Sequence, residues 1–105
     1  MREARIIAVA EHDAARLALE HALLGTFGGF TRSETFGAWR DDTGHDHIEP
    51  GFAYDIACEP TAANEDKLRL IAQLYCAAAK QLCVYLRLPN GNVEFVESVK
   101  AVTAA

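Results

Sequence analysis

His45-Asp46-His47-Ile48-Glu49 is the densest run of chemistry-bearing side chains in this sequence. In an extended strand, side chains repeat every second residue, so His45, His47 and Glu49 share one side. Two imidazoles and a carboxylate at that spacing are a donor set for zinc or another divalent ion. Such a site would need a further ligand, from Asp41, Asp42 or a second subunit. The plainer origin of the run is a solvated hairpin tip, because short motifs of this kind arise freely by chance. Zinc is the one cofactor the sequence raises; otherwise none is expected.

A second group is aromatic and cationic. Trp39, Phe36 and Tyr54, with Arg32 and Arg40 beside them, could stack a planar ligand or anchor a partner, as aromatic residues and arginine do at interaction hot spots. Most of these rings, Phe30 included, are expected to fill the core instead. Trp39 is the exception, since it stands next to the charged turn Asp41-Asp42-Thr43-Gly44. Arg32 and Arg40 have the simpler reading of solvated cross-strand partners.

Catalytic constellations are missing from the local sequence. A Ser or Cys nucleophile needs a His base and an orienting acid, and no signature gathers Ser33, Ser98, the cysteines and the histidines into one. His12-Asp13 reads as a helix start, and His21 as a residue at a helix edge. Gly25-Thr26-Phe27-Gly28-Gly29 lacks the Lys-Ser/Thr ending of a phosphate loop and does not precede a helix N-terminus. The chain is therefore expected to be non-catalytic, with small-enzyme activity kept as the alternative.

Composition narrows the partners. The formal net charge of −5 argues against direct nucleic-acid binding, which needs a basic surface to displace counterions. The apolar run Ile6-Ile7-Ala8-Val9 is too short for a signal-peptide core or a membrane span. A cytoplasmic protein is expected, with no membrane partner. Cys58, Cys76 and Cys83 are odd in number and follow no CxxC spacing, so they read as small buried hydrophobes rather than as a disulfide framework. Cys76 and Cys83 are expected on one face of one helix.

The elements that would position these groups follow from patterning. Arg5 to Ala10 reads as a central strand. Asp13 can cap a helix that Gly25 ends, with Ala15, Leu19, Ala22 and Leu23 on its apolar face. Phe30 to Trp39 is a strand, joined by the charged turn to a partner in which Phe52, Tyr54, Ile56 and Cys58 alternate with Gly51, Ala53, Asp55 and Ala57. Pro50 is expected to delay that strand or to place it at an edge. Asn64 can cap a second helix carrying Leu68, Ile71, Leu74, Tyr75, Ala78 and Leu82. Val84, Leu86 and Leu88 then lead into Asn90-Gly91, the preferred type I′ hairpin turn. That turn would set Leu86 opposite Phe95, Arg87 opposite Glu94 and Leu88 opposite Val93. Residues 1–105 are read as a single domain. The order predicts an α+β, ferredoxin-like βαββαβ sandwich with an extra C-terminal β-strand: an antiparallel sheet with two helices on one face.

Phe27-Gly28-Gly29-Phe30-Thr31, followed by Gly37-Ala38-Trp39 and by Glu49 before a strand, resembles a pattern in small uncharacterised bacterial and phage proteins. There a GGxT turn opens the second strand and a GxW closes it. The resemblance covers the middle third of the chain and implies a ferredoxin-like domain similar in outline to the PII-type and CutA-type trimers. Their nucleotide-binding loops and metal-site residues have no matching positions here, so no site is carried over. The expected function is a small binding or regulatory protein that self-associates and contacts another protein, as an inhibitor or adaptor from a phage or mobile element would. The alternative is a PII/CutA-like ligand- or metal-binding regulator, or a small enzyme, that uses the hairpin from His45 to Glu49.

Overall fold

The structure is a computed structural model and describes residues 1–98. Its elements run β1 (Arg2–Val9), α1 (Asp13–Phe27), β2 (Thr31–Arg40), β3 (Asp46–Cys58), α2 (Ala62–Ala78), β4 (Val84–Arg87) and β5 (Val93–Val96). The sheet order is β2-β3-β1-β4-β5, and every neighbouring pair is antiparallel. This is the ferredoxin-like arrangement with one added strand outside β4. Both helices cover the same face. Ala4, Ile6 and Ala8 of β1 and Tyr54, Ile56 and Cys58 of β3 meet Leu19 and Leu23 of α1 and Leu68, Ala72 and Cys76 of α2 in one core. Truncating a fully buried member such as Leu23 or Leu68 to alanine costs about 2–5 kcal/mol.

Local chemistry at the element ends differs from the sequence expectation. Asp13 does not cap α1: His12 holds the N-cap position in a left-handed conformation (φ 63°) without a side-chain bond, and Asp13 pairs instead with Arg16. The helix runs past Gly25, whose amide stays within the helical ladder, and stops at Gly28 (φ 85°), whose N–H closes on the Leu24 carbonyl at 3.0 Å. Thr61, not Asn64, caps α2, its hydroxyl accepting from the Asn64 amide at 3.2 Å. That helix ends at Ala78 rather than near Leu82. Lys80 turns left-handed (φ 53°), and the amides of Lys80 and Gln81 return to Ala77 and Cys76, the Schellman pattern. Leu82 and Cys83 consequently lie in a loop. Cys83 is exposed while Cys76 is buried, so the two thiols do not share a helix face.

Strand β3 begins at Asp46, ahead of Pro50 rather than after it. Proline is tolerated there because its carbonyl accepts from Ala10; the missing N–H therefore points to the same side, beyond the end of β1, where no ladder partner waits. The β2-β3 hairpin projects past β1 as a two-stranded ribbon, since Val9 pairs with Gly51 while β2 continues to pair as far as Asp46. The second hairpin keeps a different register from the one expected. Tyr85 faces Phe95, Leu86 faces Glu94 and Arg87 faces Val93. The Gly91 amide bonds the Leu88 carbonyl and Gly91 is left-handed (φ 93°), giving a type I turn with a following glycine bulge in place of type I′. The extra loop residue slips the pairing by one. Among the described residues, no helix is long and apolar enough to cross a membrane.

Candidate functional site: an aromatic cleft beside the long hairpin

Residues that pair across strands share a face, and this sorts the sheet. Thr35, Gly37 and Trp39 of β2, His47, Glu49, Gly51 and Asp55 of β3, Arg5, Ile7 and Val9 of β1, and Tyr85 and Phe95 of β4 and β5 lie on the face the helices leave uncovered. Because the hairpin outruns β1, a cleft forms between the ribbon, the end of β1 and the loop after α2. It encloses about 530 Å³, lined by Phe36, Trp39 and Glu49 from the ribbon, Ile7 and Val9 beneath, and Leu82, Tyr85 and Phe95 opposite. The Tyr75 hydroxyl closes its base by accepting from the Val9 amide at 3.0 Å. Burial pushes the Tyr75 phenol up, so it stays neutral.

The walls are unusually apolar for an open surface: Phe36 is 74% exposed, Phe95 67% and Trp39 44%. Tyr85 and Phe95 meet edge to face at 6.0 Å. Glu49 is the carboxylate among these rings. Among the described residues, none of the ion pairs involves it. Gly37 pairs directly with Glu49 and adds no side chain on that face.

The ribbon's tip is organised by Asp41. Its carboxylate accepts from the amides of Thr43 at 2.9 Å and His45 at 3.0 Å, from the Thr43 hydroxyl at 2.6 Å, and meets His47 Nε2 at 2.8 Å. The Thr43 hydroxyl first, then His47 and the His45 amide, hold the Asp41 carboxyl well below the usual carboxylate range. The His47 ring stacks on Trp39 at 4.2 Å with planes 13° apart, and His45 lies edge-on to His47 at 4.8 Å. Among the described residues, no group of three or more His, Cys, Asp and Glu side chains is arranged to hold a metal ion. His45 and His47 are thus adjacent, but Glu49 does not join them in a ligand cluster.

The residues picked out as a binding set divide into three places. Trp39 and Phe36 line the cleft. Arg40 pairs with Asp46 across the tip, Nε to Oδ1 at 2.6 Å. Arg32 and Tyr54 sit on the helix side, where Glu20 accepts from the Tyr54 hydroxyl at 2.6 Å and from Arg32 Nη1 at 2.8 Å. Burial, with the Glu20 carboxylate adding to it, pushes the Tyr54 phenol up to about 12. Tyr85 and Phe95 join the cleft without any local motif that marks them. The alternation in β4 already placed Tyr85 opposite to the core residues Val84 and Leu86, a usable signal. Phe95 was hidden by the register slip, which assigned it to the core side.

No family model matches the chain, and no curated protein sequence matches it significantly. Solved structures do. A phage SAM lyase in complex with S-methyl-5′-thioadenosine matches with TM-score 0.69 at 14% identity, over 91% of this chain and 88% of that one. A phage SAM lyase in the apo state matches with TM-score 0.68 at 15% identity, over 94% and 90%. At this identity the likeness is one of fold, along nearly the whole of both chains.

Proposed function

We propose that the chain is an S-adenosylmethionine-cleaving enzyme that takes the sulfonium substrate into the cleft beside Glu49. The observation that carries this reading is a carboxylate without an ion-pair partner among the described residues, in a cleft that Trp39, Tyr85 and Phe95 also line. Aromatic faces around a carboxylate suit a partly desolvated organic cation, and the same faces stack a purine. The cleft's 530 Å³ falls within the range of roughly 300–1,000 Å³ usual for small-molecule sites. The fold shared with phage SAM lyase supports choosing a sulfonium nucleoside over other cations.

The reaction asks little of side-chain acids and bases. In S-adenosylmethionine the sulfur is already a cationic leaving group. When the substrate's own α-carboxylate attacks its γ-carbon, a C–O bond forms as the C–S bond breaks. The electron pair of that bond neutralises the sulfur. The products are 5′-methylthioadenosine and homoserine lactone, with no proton transferred and no water consumed. Opposite charges are lost in the transition state, so an apolar cleft that strips water from both favours it over bulk solvent. The remaining task is to fold the substrate so that carboxylate and γ-carbon are in line. Glu49 holds the substrate's α-ammonium, which keeps its charge throughout, while Trp39 stacks the adenine. This also accounts for a catalytic protein whose sequence assembles no nucleophile–histidine–acid set. Incubating the purified protein with S-adenosylmethionine and separating the products chromatographically tests the reading. Intact substrate after long incubation, with no binding heat by calorimetry, would reject it.

A protein-contact role is the second reading, favoured by the exposure of Phe95 and its neighbour Tyr85 on the uncovered sheet face. We propose that a second copy of the chain covers this face, which would also wall in the cleft. In this reading self-association supports the enzyme instead of replacing it.

A further inference from the structure

We infer that Asp41 and His47 are positioning residues that fix Trp39 as a one-sided platform for the substrate's purine, an inference resting on the site reading above. Trp39 belongs to β2, the edge strand of the sheet, near the end of a projecting ribbon. An indole in that place is ordinarily free to change rotamer, and a ligand would have to immobilise it at an entropic cost. Here the cost is already met. His47 stands directly across the ladder from Trp39, and its ring covers one indole face at 4.2 Å and 13°. The imidazole is in turn held at 2.8 Å by Asp41, and Asp41 is locked by the Thr43 and His45 amides and the Thr43 hydroxyl. Order therefore runs from the backbone of the turn, through a carboxylate and an imidazole, to the indole. Trp39 also lines the cleft, and one indole face is not covered by His47. A planar purine meets it from that side alone. Because the effect lies in holding the platform before the ligand arrives, it belongs to binding and not to the bond-breaking step.

Trp39 is the only tryptophan in the chain, so its emission reports on this residue directly. 5′-Methylthioadenosine is titrated into the wild-type protein and into the His47→Ala, His47→Phe and Asp41→Asn variants, and KM and kcat for S-adenosylmethionine are measured alongside. Saturable quenching is expected in the wild type. His47→Ala should weaken binding and raise KM by about tenfold, the upper end of a single aromatic stacking contact, with kcat unchanged. His47→Phe restores a ring on the indole and should return to within about twofold of wild type. Asp41→Asn retains an oxygen for the turn amides but loses the charged partner of His47, and should fall between the two. His47→Ala binding as tightly as wild type, or His47→Phe failing to rescue it while melting like wild type, overturns the positioning role. A wild-type protein that neither quenches nor turns over substrate removes the site reading itself, and that result is recognised without any variant.

Discussion

Glu49 and Glu20 are both carboxylates beside aromatic rings, and their surroundings give them opposite tasks. Glu20 is spoken for by the Tyr54 hydroxyl and Arg32, whereas Glu49 has no ion-pair partner among the described residues. Replacing Glu49 with glutamine keeps the shape and removes the charge. KM for S-adenosylmethionine should then rise about tenfold or more, as expected for losing a contact between charged groups, while the melting temperature barely moves. Glu20 should show itself in stability instead. The Tyr54 hydroxyl bond, then Arg32, hold its carboxyl below the ordinary glutamate value of 4.5. The unfolded chain therefore takes up the proton first. The stabilisation is present above about pH 4.5 and is lost as the pH falls through the lower, folded-state value. Urea unfolding between pH 6 and pH 3 should show this loss in the wild type and a shallower one in Glu20→Gln. At this scale the sequence was partly legible. Trp39 stands out as the aromatic with charged neighbours, Arg40, Asp41 and Asp42. Period-two spacing ties Glu49 to His45 and His47, but only the three-dimensional path of the ribbon brings it to a cleft that Phe95 also lines.

At the scale of elements, the long hairpin owes its reach to β3 outrunning β1 beyond Gly51. Gly51 pairs with Val9, and a Cβ built there would run into the Ala8 carbonyl oxygen. Gly51→Ala should therefore push β1 and β3 apart and destabilise the protein by about 2 kcal/mol in thermal or urea unfolding. The same change at Gly37, whose built Cβ lies 3.8 Å from the nearest carbonyl oxygen, should be mild. The α2 cap makes a parallel case: Thr61→Ala should cost about 1 kcal/mol, and Asn64→Ala less, since Asn64 serves the cap as a donor. Strand and helix identities were readable from alternation and helical spacing, and so was the β-α-β-β-α-β order. Element ends were not. Asp13, Asn64 and Gly25 are all good cap residues by type, yet Thr61 and Gly28 occupy the positions whose backbone geometry a cap needs. Asn90-Gly91 likewise satisfies two turn types equally well. The inclusion of Pro89 in the loop selects the bulged one, and with it the strand register and the place of Phe95.

At the scale of the whole molecule, two layers leave one sheet face bare, and the cleft opens on it. A second copy covering Tyr85 and Phe95 should make the protein an oligomer by light scattering at micromolar concentration, and Phe95→Glu should shift it toward monomer. A wild-type chain that scatters as a monomer throughout that range would remove self-association from the proposal. The fold was legible because it rests on periodicity summed over long segments. The candidate cleft was not, because it is lined by residues from both hairpins that no local motif spells. The claim that this cleft cleaves a sulfonium nucleoside is tested most directly by incubating the purified chain with S-adenosylmethionine and following the products by mass-resolved chromatography. We expect 5′-methylthioadenosine and homoserine lactone to appear in equal amounts and Glu49→Gln to slow their formation at low substrate. Unchanged S-adenosylmethionine in the presence of folded wild-type protein would contradict it.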